Sequence, residues 1–425
     1  MKLKTLTTAI ILATVPMTGA FAAALDRSGQ SIAAFLQPGN YFEAGISVLD
    51  PTVSGKVRNG YTPSPALPAS TAGLQNTNLS DMGDDYYFPS AALKLQVTDH
   101  FSFGLLYDQP FGADATYSTT DAISSPLAGS IGLFHNRTEA TSVEVKSQNI
   151  SMLFGFQPTA NWNFYAAPVY QTVKGDIQLR GLAYGGNATF GGYNASIKET
   201  GDMGWLVGAA YQIPEIALKA SITYRSEIEH SVEIKENFNA AGSFAALNAT
   251  PTQDTDITTP QSVNLDLQTG IMANTVAFAN VRWVDWKNFS IQPYKFGVAS
   301  KSATVQAQTG KSEFDLVAYT DDQISATVGV GRKLSEQWAG NVSVGWDSGA
   351  GNPVTTLGPT EGYWNVGLGA QFSPTPQTFI AGGVKYFWLG DAKAQSGAQF
   401  DTANYVADFE DNHAIAYGLK MGYKF

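Results

Sequence analysis

The chain has no cysteine among its 425 residues, which excludes disulfides, thiolate metal sites and cysteine nucleophiles. Charged residues are scarce as well, at 14%. Apart from one run at the very start there is no long hydrophobic stretch, so nothing else in the chain offers a membrane-spanning helix. Apolar residues nevertheless make up 44% of the chain and aromatics 12%, enough to cover a large greasy surface. They are spread out. Alternation with Gly, Ser, Thr, Asn and Gln keeps the mean hydropathy near zero. The acidic balance, a formal charge of −11, argues against a polyanion or nucleic-acid partner.

The exceptional run follows Lys2 and Lys4 and closes on Ala20-Phe21-Ala22. A basic start, a short apolar stretch and small residues at its end predict a secretory signal peptide over residues 1–22. The run is short for a membrane anchor. Without its two lysines the chain carries about −13. An exported chain without disulfides needs another source of stability, and a large closed hydrogen-bond network provides one.

What is present is clearest at the end of the chain. Ile415, Tyr417, Leu419, Met421, Tyr423 and Phe425 alternate with Ala416, Gly418, Lys420, Gly422 and Lys424. In a strand those sets lie on opposite faces, one greasy and one wet. A final strand with aromatics at its ends, terminating on phenylalanine, resembles the closing strand of outer-membrane β-barrels. The fold class expected is all-β, a transmembrane antiparallel barrel.

The same pattern begins with Phe42, Ala44, Ile46 and Val48, and returns in Ala91 to Val97 and Phe101 to Tyr107 across the turn Thr98-Asp99-His100. It continues near Ser147 to Gln157, Trp162 to Leu179, Trp205 to Ile213 and Ile216 to Tyr224. Further strands follow near Ser262 to Ala273, Val276 to Trp286, Ile324 to Val330, Trp338 to Trp346, Trp364 to Phe372 and Ile380 to Trp388. The faces of Val276 to Trp286 are not assignable from alternation. With the last strand the count is about fourteen, an even number joined by short turns on one side and long loops on the other. Phe101, Trp162, Trp338, Phe372 and Phe425 lie beside short turns; Tyr107, Trp205, Tyr224, Trp346, Trp364 and Trp388 lie beside long loops. Two aromatic girdles result. The domain division expected is a signal at 1–22, a short hatch-like segment at 23–40 in the barrel mouth, and the barrel at 41–425.

Fourteen strands enclose a lumen too wide to be filled by wall side chains alone. The alternation turns Lys94, Lys219, Ser221, Thr223, Arg225, Glu227, Lys385, Lys420 and Lys424 inward. Lys94, Lys219 and Arg225 are the candidates for holding a ligand carboxylate; mutual pairing of wall charges, Arg225 with Glu227 for example, is the competing reading. Catalysis has little support: His100 and His413 follow acid or amide residues, but nothing in the sequence brings a nucleophile to them. No enzyme, metal site or cofactor is expected, and the acidic loop runs, such as Asp81 to Asp85, read as solvated loops rather than calcium sites.

Several segments in order resemble the FadL family of outer-membrane transporters for long-chain fatty acids and hydrophobic compounds. They are Leu36 to Gly45 with Asp50 to Gly55, Gly104 to Gly112, Gly201 to Trp205, Tyr224 to His230, Pro260 to Val263, Trp283 to Trp286 and the C-terminal strand. The resemblance implies a fourteen-stranded barrel plugged by an N-terminal hatch, passive uptake of hydrophobic molecules, and sideways exit through a kinked third strand. That kink falls on Pro110, Phe111 and Gly112, where proline removes a ladder donor and glycine weakens pairing. The family's Asn-Pro-Ala hatch motif has no counterpart here, so the plug is expected to be short. The expected partners are a long-chain fatty acid or other hydrophobic small molecule, membrane lipid and lipopolysaccharide, and the barrel-assembly machinery through the C-terminal strand. The chain is expected to be a monomer in the cell outer membrane of a Gram-negative bacterium. A general diffusion porin is the rival, and a barrel hydrolase a more distant one.

Overall fold

The computed structural model describes residues 24–61, 73–123 and 131–425; the expected signal peptide at 1–22 lies outside the described residues. Fourteen antiparallel strands close into a barrel. They are β1 (Tyr41–Thr52), β2 (Tyr86–Gln96), β3 (Phe101–Asp108, resuming as Gly112–Thr116), β4 (Ser142–Phe156) and β5 (Trp162–Arg180). Next come β6 (Gly192–Ile213), β7 (Leu218–Arg225, resuming as Ile228–Asn237), β8 (Asp254–Thr259, resuming as Ser262–Met272) and β9 (Thr275–Val284). The wall ends with β10 (Gln323–Lys333), β11 (Trp338–Asp347), β12 (Tyr363–Phe372), β13 (Thr378–Leu389) and β14 (His413–Lys424). β1 pairs with β14 over its whole length, from Tyr41↔Lys424 to Thr52↔His413, so the sheet has no free edge there.

The outward face is apolar, as the alternation demands. Ile46, Ile222, Val328, Leu368 and Leu419 are all exposed. In a soluble protein so much exposed apolar surface would drive aggregation; in a bilayer it faces lipid. Phe101, Trp162, Trp338 and Phe425 are exposed beside the short turns, and Trp205, Trp364 and Trp388 beside the long loops. Two girdles bound the band.

Beyond the outer girdle the loops fold on one another. The segment between β9 and β10 carries two short helices, α1 (Tyr294–Ser300) and α2 (Ala303–Thr309), which alternation alone did not predict. Glu236 of β7 accepts from the backbone N–H groups of Lys295 and Phe296 at 2.8 Å, satisfying the first turn of α1. Phe190, Phe238, Phe244, Phe296 and Phe314 pack ring on ring beneath these helices.

Candidate functional site

Residues 24–40 lie inside the barrel. Ile32, Phe35 and Leu36 are buried against wall residues Leu153, Tyr165 and Leu206. Phe35 fits because the wall has no side chain at two facing positions: a Cβ on Gly104 would stand 2.5 Å from its ring, and one on Gly155 2.9 Å. Polar anchors then fix the segment from three sides. Arg282 Nε meets the Asp26 carboxylate at 2.6 Å, with both side chains almost fully buried. The same guanidinium donates to Gln30 Oε1 at 3.0 Å, and Asn264 donates to the Gly29 carbonyl at 2.8 Å.

The three cations singled out from the sequence all point at this plug. Arg225 Nη2 donates to the Gln30 carbonyl at 2.5 Å, Lys219 Nζ to the Leu36 carbonyl at 2.7 Å and Lys94 Nζ to the Gln37 carbonyl at 3.0 Å. Lys94 also donates to Gln96 at 2.6 Å. Arg225 Nη1 has no hydrogen-bond partner among the described residues. Glu227, expected in the lumen, is exposed on the outside instead. The reason is a change of face: Ser221, Thr223 and Arg225 are buried, then Ile228, His230 and Val232, so the inward parity flips at Ser226-Glu227.

β3 breaks at Gln109-Pro110-Phe111. Below the break it pairs with β2 as far as Tyr107↔Ala91; above it, Gly112–Thr116 pairs with β4, and contact with the β2 side returns only at Gly83↔Ala115. Residues 84–90 and 108–114 therefore face each other without ladder pairs, and the wall has a slit. The plug takes up part of the freed backbone: Arg27 N–H donates to the Pro110 carbonyl at 2.6 Å and Gly112 N–H to the Leu25 carbonyl at 2.9 Å. Ser28 Oγ donates to Asp108 at 2.5 Å. Behind the slit lies a cavity of about 90 Å³ lined by Phe88, Leu106, Tyr107, Asp108 and, across the lumen, Arg225.

A second, more apolar hollow of about 80 Å³ lies among the outer loops, lined by Leu182, Phe190, Phe296, Phe314, Leu316 and Leu357. Its lining is that of a site for a hydrophobic group. The arrangement comprises an apolar hollow outside, a plugged lumen, and a side opening beside the plug.

A family model described as outer membrane protein transport protein (OMPP1/FadL/TodX) matches residues 23–425. The chain belongs to this family. Among solved structures, a Pseudomonas aeruginosa FadL homologue superposes with a TM-score of 0.65 at 15% identity, covering 92% of each chain. The P. putida toluene transporter TodX gives 0.57 at 12%, covering 92% of this chain and 91% of that one. The Ralstonia pickettii toluene transporter TbuX gives 0.56 at 11%, covering 96% and 98%. At these identities the likeness is one of fold. No curated protein sequence matches the chain. As an OMPP1/FadL/TodX member it is an outer-membrane transport protein.

Arg282 and Asp26, the buried ion pair among the plug anchors, escaped the sequence reading. In β9 the inward face carries Val276 and Val284 as well as Arg282, so polarity does not mark the face. The signal available was Arg282 itself, a charge within a spanning strand.

Proposed function

We propose that this family member is a passive channel for long-chain fatty acids or similar hydrophobic molecules, sited in the outer membrane of a Gram-negative bacterium. Ligand collects in the apolar hollow among the loops, enters the cavity beside the plug, and leaves sideways between β2 and β3 at Pro110, Phe111 and Gly112. The observation that carries the reading is the slit with a cavity directly behind it. A straight pore would need the lumen clear, whereas here the plug is held by Arg282, Arg225, Lys219 and Lys94. A sideways route leaves the plug in place.

For an acidic ligand, Arg225 is the proposed carboxylate partner: it lines the cavity and keeps one guanidinium nitrogen without a partner among the described residues. Lys219 and Lys94 join only by giving up plug carbonyls. The names of TodX and TbuX, toluene transporters, favour an uncharged aromatic hydrocarbon as the alternative cargo. The deciding experiment compares uptake of radiolabelled oleate and toluene by cells with and without the protein, beside planar-bilayer conductance. Uptake of either with small conductance supports the reading; large steady conductance without uptake supports a general porin.

A further inference from the structure

Exit through the slit sets a chemical condition on an acidic ligand. A carboxylate in hydrocarbon is so unfavourable that the group takes up a proton instead, so a fatty acid has to enter the bilayer as the neutral acid. On Arg225 it is the anion, since a charge-assisted bond is what the guanidinium offers. A proton must reach the ligand between the two.

One acid stands on that path. Asp108 is the last residue of β3 before the break, paired with Asn149 of β4 on one side and with no residue of β2 on the other. It lines the cavity behind the slit, as Arg225 does. Glu43, the other carboxylate in that lining among the described residues, is taken: Lys420 Nζ lies 3.1 Å from it and the Tyr41 hydroxyl donates to it at 2.5 Å. Asp108 is in no ion pair among the described residues, and its carboxylate accepts from Ser28 Oγ alone. The charges that act on it most are Arg225, Arg282 and Asp26. Arg282 and Asp26 answer each other at 2.6 Å, which leaves Arg225 as the charge facing Asp108.

A carboxylate docked on Arg225 changes that balance. At about 90 Å³ the cavity has room for a headgroup and not for a chain, so the headgroup sits near Arg225 and Asp108 while the tail lies along the slit. Two carboxylates then share one guanidinium. Carboxylates placed so close do not both stay ionised, and the pair keeps one proton between them.

We propose that Asp108 is the proton donor for lateral exit of an acidic ligand. This rests on the reading that such a ligand leaves sideways past Arg225. Water supplies a proton to Asp108 by way of the polar lining toward the periplasmic end, Ser47, Tyr41 and Gln37, leaving hydroxide in the lumen. The Asp108 O–H bond breaks as an O–H bond forms on the ligand carboxylate. The neutral acid slides into the bilayer, and Asp108 is left as the carboxylate that Ser28 holds. Nothing is oxidised or reduced. An uncharged ligand uses the same slit without this step.

Oleate and oleyl alcohol share a chain and differ at the headgroup, so the ratio of their uptake reads the proton step. Uptake of both, radiolabelled, is measured into cells with and without the protein between pH 5 and pH 8. Asp108→Asn keeps an oxygen for Ser28 and has no proton to give. At pH 8 it should lower the ratio of oleate to oleyl alcohol uptake about tenfold or more, a modest share of what general-acid groups contribute. The deficit should close toward pH 5, where solution supplies the proton to a carboxyl whose ordinary value is about 4.3. Asp108→Glu should restore part of the ratio. A ratio unchanged by Asp108→Asn at pH 8 overturns the proposal. So does a deficit as large at pH 5 as at pH 8, which would assign Asp108 to holding the plug through Ser28. If the parent takes up oleyl alcohol but no oleate, the acidic cargo falls; if it takes up neither, sideways exit falls; the proton step falls with it in either case.

Discussion

The Tyr86 hydroxyl sits where a Cβ on Gly112 would lie, and from there donates to the Val145 carbonyl at 3.2 Å. A side chain of β2 thus reaches beneath the broken strand to β4, spanning the β2/β3 slit. Gly112 is not chosen here for an unusual backbone angle; it is a matter of room. Gly112→Ala should displace the tyrosine, at a cost of about 1 to 3 kcal/mol from overpacking. Tyr86→Phe should cost about 1 kcal/mol for the lost hydrogen bond while leaving the ring in place. Thermal unfolding in detergent reads both, and a larger loss for Tyr86→Phe than for Gly112→Ala would refute this account of the contact.

Arg225 offers a test of cargo chemistry. Replacing it by alanine removes one plug contact and, among the described residues, the only guanidinium that lines the cavity beside the slit. If a carboxylate is held there, oleate binding should weaken about tenfold, in line with a charge-assisted bond of roughly 1.5 to 3 kcal/mol. Toluene uptake should be unchanged. Equal loss of both would assign Arg225 to the plug alone, and no loss of either would remove it from the site.

The barrel was legible in the sequence because lipid outside and water or plug inside enforce opposite chemistry on alternate residues. β14 shows it cleanly: Ile415, Tyr417, Leu419, Met421, Tyr423 and Phe425 are all exposed to the outside. The inward face carries no such rule. Val276, Arg282 and Val284 share it: Val284 packs into the loop core while Arg282 meets the plug, and the ion pair with Asp26 was hidden among apolar neighbours. Glu227 was misplaced because a single strand does not reveal where its parity changes; only the partner strand does. The helices α1 and α2 are too short for a helical period to stand out; α1 is held by Phe296 packing on Phe190 and Phe314, and α2 by Val305 buried in the same cluster. Proline and glycine did mark the β3 break, since both disfavour a ladder.

Glu361, in the loop before β12, gives the outer face a pH dependence. Burial pushes its carboxyl up to about 7, with Asp347 and Asp321 adding repulsion against the N–H of Gly351 that holds it. A folded pKa above the unfolded one means the neutral form is favoured in the packed loop. Its contribution is complete below about pH 4.5 and is lost as pH rises through 7. Amide protection around Gly349 and Gly351, corrected for intrinsic exchange, should fall on the order of tenfold between pH 5 and pH 8. Glu361→Gln should flatten the profile at its acidic level. A profile that rises with pH would contradict the sign.

The plug itself depends most on Arg282. Its guanidinium meets Asp26 at 2.6 Å, Asn264 Oδ1 at 2.6 Å, Gln30 Oε1 at 3.0 Å and Ser262 Oγ at 3.2 Å. Arg282→Met removes all four and strands the Asp26 carboxylate, whose other oxygen already lacks a partner among the described residues. Breaking a buried pair from one side costs about 3 to 5 kcal/mol. The barrel does not have to absorb that cost, because its wall is closed by backbone ladders independent of residues 24–40. The cheaper response is for the segment to leave the lumen, letting Asp26 reach water. Single-channel conductance in a planar bilayer should therefore rise sharply for Arg282→Met while heat-modifiable migration of the barrel is retained. Asp26→Leu combined with Arg282→Met removes the stranded charge and should return much of the low conductance. If the single variant conducts no more than the parent, or if the double variant conducts as much as the single, the ion pair does not hold the plug.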